Sequence, residues 1–247
     1  MHKIIESYTQ HMREKGLQQT TINSYLQDIK LLFFHMGKLT PENITENDLR
    51  LIEQTLRTTK KESSVTRWIV SSKKFFDFCA EQGLRTDNPM QNFKTRRPKN
   101  QKSIRPKKSA AEALLDAGGR YSFIECRNRA ALALICGSQI KINELCMLTV
   151  GDFDPTRRLI SVKSGKFYRL SDHAIKVLNE YLTFFIYQKT DANTLIFTNP
   201  SGQPLSRQCM WKVFKKAREK AGLDEKLSLI NMRGVLRDGD GRQGFIA

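Results

Sequence analysis

Lys61, Arg67, Lys73 and Lys74 stand interleaved with Ser63, Ser64, Thr66, Ser71 and Ser72. Long cations beside short hydroxyl donors suit a helix laid along a phosphate backbone, because both kinds of group donate to phosphate oxygens. An ordinary solvated helix face is the alternative reading of the same pattern. Further on, residues 94–108 read KTRRPKNQKSIRPKK, with two prolines and no acid. If this stretch crosses a duplex, Arg96, Arg97, Lys99 and Lys102 would neutralise phosphates, and each contact would make affinity fall with salt. A flexible solvated tether is compatible with that role.

The whole chain leans the same way. Its 247 residues carry 42 lysines and arginines against 25 aspartates and glutamates, a formal charge of +17. That exceeds what solubility requires and favours a polyanionic partner, nucleic acid first. Cys79, Cys126, Cys136, Cys146 and Cys209 are scattered singly. Without a C-x-x-C pair they make neither a zinc knuckle nor a disulfide framework, and they read as small, mostly buried apolar residues. His2, His11, His35 and His173 share no ligand spacing, so no metal or other cofactor is expected. No run of about 18 apolar residues occurs and the start has no apolar run of signal-peptide length, so a cytoplasmic location away from membranes is expected.

The elements that must position these groups are mostly helices. Ile4, Tyr8 and Met12 fall at fourfold spacing, and Gly16-Leu17 ends that helix before Thr20-Thr21 caps the next. There Ile22, Tyr25, Leu26, Ile29, Leu32 and Phe33 form an apolar stripe, with Asp28 and Lys30 assigned to the outside. Thr45 and Asp48 have capping-box spacing ahead of Leu49, Ile52 and Leu56. Ser63-Ser64 opens a fourth helix, in which Trp68, Phe75, Phe76 and Phe78 are assigned to the core. The basic stretch cannot pack a core and so marks a boundary: a helical domain over 1–93, a linker over 94–108 and a second domain over 109–247.

In the second domain, helices are expected over 110–115, 127–135, 142–148, 174–187 and 207–221, the last closed by Gly222. Strands are expected over 159–162 and 167–170 around a Ser164-Gly165 turn, with a further short strand over 195–197. The fold class is therefore mainly α, with a small β-hairpin.

These residues resemble the tyrosine recombinase, or phage integrase, family. In the first domain the resemblance rests on Gly16-Leu17 leading to Thr20-Thr21 and Tyr25, on Lys74-Phe75-Phe76-Asp77-Phe78, and on Asn88-Pro89 before a basic linker. In the second, Ile140-Lys141-Ile142-Asn143-Glu144-Leu145 followed by Leu148 and Asp152 is similar to the family's first arginine box. The resemblance implies a helical core-binding domain of SAM-like type, then an α-rich catalytic-type domain with a small β-hairpin or sheet. Because both domains are basic and a tether joins them, they are expected to grip opposite faces of a duplex. The family joins DNA strands through a phosphotyrosyl link without metal or nucleotide, so it needs cations around the phosphate, an acid and a tyrosine.

Carried over one residue at a time, the resemblance puts the first arginine at Lys141. Lysine keeps the charge but not the planar fork that grips two oxygens. Glu144 matches the acid of the box and is expected to hold the adjoining turn or Lys141. The hairpin lysine falls on Lys163, with Lys166 as the alternative, and the second arginine on Arg233. Ile230 occupies the position of a histidine and cannot transfer a proton. After Val235 the resemblance ends: Gly239, Gly241 and Gly244 stand where an apolar helix is expected, and no tyrosine follows Tyr187. A frameshift, a truncated copy or deliberate shortening would each give such a sequence.

Three functions compete. The first is a site-specific recombinase or integrase that resolves or integrates plasmid, phage or transposon DNA, self-associating on it. The second is an inactive DNA-binding relative acting as an accessory or regulatory factor to a partner recombinase. The third, an RNA-binding protein, is weakest, because no glycine-aromatic RNP motif is evident.

Overall fold

A computed structural model describes residues 2–37, 40–96, 104–185 and 191–237. The chain forms two compact units, Met1–Gln101 and Lys102–Ala247. Among the described residues the molecule is mostly helical with one small antiparallel sheet.

The first unit contains α1 (His2–Glu14), α2 (Gln19–Met36), α3 (Glu46–Thr59) and α4 (Glu62–Glu81). Gly16, at φ +73°, supplies the left-handed turn that ends α1. The capping box of α3 forms as its spacing implies: Asp48 donates its N–H to Thr45 Oγ1 at 3.3 Å, and its carboxylate accepts from Thr45 N at 2.9 Å. Leu49, Ile52 and Leu56 are buried, as are Trp68, Phe75, Phe76 and Phe78. The aromatic rings meet edge-on, Phe33 on Phe75 and Phe75 on Phe76.

Two local expectations fail here. The cap of α2 is Gln18, whose carbonyl accepts from Thr21 N and Ile22 N, so Thr20 and Thr21 sit inside the first turn. More consequentially, Asp28 is only 3% exposed. Its carboxylate accepts from Arg67 Nε and Nη2, both at 2.9 Å, and from Ser71 Oγ at 3.0 Å. The helical period puts residue 28 beside 25, 29 and 32. It therefore lies on the stripe that faces α4, and only a partnered carboxylate is tolerated there.

The second unit runs α5 (Lys108–Asp116), α6 (Phe123–Gly137), the single turn α7 (Ile142–Leu145), β1 (Phe153–Asp154), β2 (Leu159–Ser161), β3 (Phe167–Arg169), α8 (Asp172–Phe185) and α9 (Arg207–Lys220). Helix α6 is buried on all sides from Ala130 to Gly137 and forms the axis of this core. It approaches α8 so closely that a Cβ on Gly137 would lie 2.5 Å from Ser171 Oγ and 2.6 Å from Ala174 Cβ. The sheet order is β1-β2-β3, with Ile160 opposite both Phe153 and Tyr168.

The hairpin is where its sequence puts it, with Gly165 at φ +75° in the turn. Three features differ. Helix α7 stops at Leu145 instead of 148, because Leu148 turns its carbonyl to Ile196 N at 2.8 Å and Thr149 pairs reciprocally with Asp152 to start a new turn. The apolar run 195–197 makes an isolated bridge, Thr149 to Leu195, and no strand. Strand β1 is a third strand that the sequence pattern did not reveal.

Candidate phosphate site and nucleic-acid interface

The last four carbonyls of an α-helix have no partner within it. At the end of α6 each finds a donor from elsewhere. Leu134 O accepts from Ser138 Oγ at 2.7 Å. Ile135 O accepts from Gly234 N at 2.9 Å, Cys136 O from Leu236 N at 2.8 Å and Gly137 O from Ser171 N at 3.1 Å. This junction draws together the start of the first box, the start of α8 and the second box. Gly234 must be a glycine: its φ is +71°, and a Cβ would sit 2.6 Å from Gln139 Nε2.

The junction fixes Arg233. Its Nε donates to Ile140 O at 3.0 Å and its Nη2 to Gln139 O, which secures one edge of the guanidinium to the two residues before Lys141. The remaining N–H groups have no protein partner among the described residues, and the side chain is half-buried. A fixed fork with spare donors is the arrangement that accepts a phosphate oxygen without reorganisation. The preceding turn is held by Ser228 and Asn231, which bond reciprocally, and by Arg218, which donates to the carbonyls of Glu225 and Leu227. Leu229 and Met232 are buried below it, whereas Ile230 is 53% exposed.

Lys141 precedes α7, and its side chain is exposed with no ion pair among the described residues. Glu144 holds its backbone, accepting from Lys141 N at 3.1 Å. A lysine ammonium has no lone pair to return the bond. The same Glu144 oxygen accepts from Tyr168 Oη at 2.7 Å. The Tyr168 phenol is pushed up to about 12 by burial and then by the Glu144 carboxylate, with Arg233 pulling it back. Arg233, Lys141, Glu144 and Tyr168 therefore share one locality.

Lys163 and Lys166 flank the hairpin tip, where Val162 N donates to Lys166 O at 2.9 Å. Both side chains are exposed, and among the described residues neither has a protein partner. No contact joins either of them to Arg233. Hollows of about 120 and 280 Å³ lie against α8 and between α2 and α4, and neither includes Arg233 or Lys141.

In the first unit the phosphate-facing pattern on α4 is thinned. Ser71 and Ser72 are fully buried and Arg67 is engaged by Asp28, because that side of α4 packs on α2. Lys74 stays exposed, with Nζ 5.2 Å above the Tyr25 ring, and Lys73 is half-buried. Arg96 is exposed and its carbonyl accepts from Thr66 Oγ1 at 2.9 Å, which lays the start of the basic stretch on α4. Arg97, Lys99 and Lys102 lie outside the described residues. The sequence reading missed one cationic face: Arg207, Lys212, Lys215, Lys216 and Lys220 are all exposed on α9. Their spacing on a helix whose apolar side is buried was the available signal.

A two-unit basic chain that presents a fixed arginine fork has the features of a nucleic-acid-acting protein. Family comparison is more specific. Residues 107–234 match the phage integrase family model and residues 5–83 match its N-terminal SAM-like domain. The chain belongs to the phage integrase, or tyrosine recombinase, family. Similar curated proteins include tyrosine recombinase XerD of Listeria innocua, 27% identical over 89% of this chain and 78% of that one. XerD of Staphylococcus haemolyticus is 25% identical over 94% and 83%. Among solved structures, a lambda integrase dimer bound to a COC' core site superposes with TM-score 0.74 at 17% identity, covering 96% of this chain and 88% of that one. The Tn1549 transposon integrase with circular intermediate DNA gives 0.71 at 15% identity, covering 94% and 85%. At these identities the structural matches establish the fold. Among the described residues no histidine, cysteine or carboxylate cluster could hold a metal ion, and no helix is long and apolar enough to cross a membrane.

Proposed function

We propose that this chain binds duplex DNA at a recombination site, with Arg233, Lys141 and the hairpin lysine Lys163 set around one backbone phosphate. The carrying observation is Arg233, anchored by two carbonyls beside Lys141 with its other donors free. Lys166, Lys73, Lys74, Arg96, Arg97, Lys99 and Lys102, together with the α9 cations, would hold the flanking backbone. The DNA-bound dimer of lambda integrase supports self-association on DNA as part of the proposal. A partner recombinase is a further candidate, and the cytoplasm is the proposed compartment.

A second reading is an accessory member of the family that binds without cutting. Ile230, in the place of a proton-transferring histidine, is half-exposed at the site and can neither donate nor accept a proton. Of the tyrosines upstream of Arg233, Tyr168 is bonded to Glu144 and Tyr181 is buried, donating to Ile196 O at 2.9 Å. The test incubates these 247 residues with an end-labelled nicked recombination site, with and without competing RNA. Retention of the duplex on a native gel without denaturant-stable label on the protein is expected. A covalent band lost on changing Tyr168, Tyr181 or Tyr187 to Phe would establish cleavage, and preference for RNA would overturn the DNA assignment.

A further inference from the structure

Tyr168 joins the two halves of the candidate site. On β3 it lies opposite Ile160, which is fully buried, so its ring faces the core while its neighbours Phe167 and Arg169 face solvent. Its hydroxyl crosses to Glu144, the carboxylate that also holds Lys141 N. Strands β2 and β3 are three residues each, and beyond them Lys163 stands on a tip with no other protein partner among the described residues. At about 3.3 Å per residue, the Tyr168–Ile160 pair is roughly 10 Å back from Lys163. One hydrogen bond near the root of such a short lever sets the direction of its tip.

We infer that Tyr168 is a positioning residue: through its hydroxyl bond to Glu144 it locks the β2–β3 hairpin to the first box, so that Lys163 reaches the phosphate held by Arg233. The inference rests on the proposed DNA-binding function. It assigns Tyr168 no contact with DNA and no covalent step. Removing the hydroxyl keeps the ring in the core and releases only the lock, so the hairpin tip is expected to wander while the arginine fork stays.

The experiment measures the rate at which an amine-reactive ester labels Lys163, read by mass spectrometry on the intact chain with and without a duplex site. Wild type is expected to protect Lys163 on binding. Tyr168→Phe should lose that protection by about tenfold, the scale of one hydrogen bond to a charged group. Protection of Lys74 should stay unchanged. Glu144→Ala should also lose Lys163 protection, and Tyr168→Phe in that background should add nothing. Unchanged Lys163 protection in Tyr168→Phe, or additive losses in the double variant, would overturn the inference. If wild type retains no duplex, the DNA-binding reading fails instead, and the Lys74 signal reports that separately. Thermal unfolding of each variant identifies any loss that comes from misfolding.

Discussion

At the scale of single residues, the chemistry is decided by which polar groups already have partners. Arg233 spends one edge on carbonyls and keeps the rest for a ligand. Arg233→Lys keeps the charge and loses the fork, and is expected to weaken duplex binding by about tenfold in fluorescence anisotropy. Asp28 is the reverse case, a buried carboxylate whose oxygens accept from Arg67 and Ser71 inside the first unit. Asp28→Ala is expected to destabilise that unit by about 2 kcal/mol in urea unfolding, because the charge-assisted bonds from Arg67 and Ser71 to the buried carboxylate are lost together. Tyr168 gives a pH signature. Its folded pKa is raised, from 10.0 to about 12, so its contribution to stability is complete below pH 10.0 and is lost as pH rises to about 12. Wild type should therefore lose stability more steeply than Tyr168→Phe across that alkaline window, and equal slopes would contradict the assignment. The sequence alone hid both cases. Asp28 is one charge in an apolar stripe, and Tyr168 meets Glu144 across 24 residues with no local pattern to announce it.

At the scale of elements, local rules read well wherever the cause was local. The Thr45–Asp48 capping box, the glycines that end α1 and α9, and the Ser164-Gly165 turn follow from neighbouring residues, and all form. Thr45→Ala should cost about 1 kcal/mol of stability through the lost cap. What failed was set by distant partners. Helix α7 is cut short by a bond to Ile196, and β1 is two residues long, too short to carry an alternation. Gly137 belongs to this group, since nothing beside it in sequence marks the contact with α8. Gly137→Ala is expected to destabilise the second unit by about 1–3 kcal/mol, through overpacking against Ser171 and Ala174. A melting temperature equal to wild type would argue that α8 can shift aside.

For the whole molecule, the governing quantity is charge, and +17 was legible from composition alone. Family membership was legible too, through order and spacing: the model matches at 5–83 and 107–234 leave out most of the basic stretch read as a linker. Log affinity for duplex DNA should fall linearly with log salt, with a slope near −0.9 for each phosphate neutralised. Neutralising Arg96, Arg97, Lys99 and Lys102 together should flatten the slope, whereas an unchanged slope would remove these residues from the interface.

Two of the four donors at the end of α6 also set an order in time. Arg233 and Ile140 are 93 residues apart, and the amides of Gly234 and Leu236 reach α6 across a similar span. Closures that long form slowly, after local helices have appeared. The fork on which the proposed chemistry depends is thus expected to be among the last parts of its unit to assemble. In pulse-labelled hydrogen exchange during refolding, Gly234 and Leu236 should gain protection after the amides within α6, and a newly made chain would acquire helices well before it could hold a phosphate.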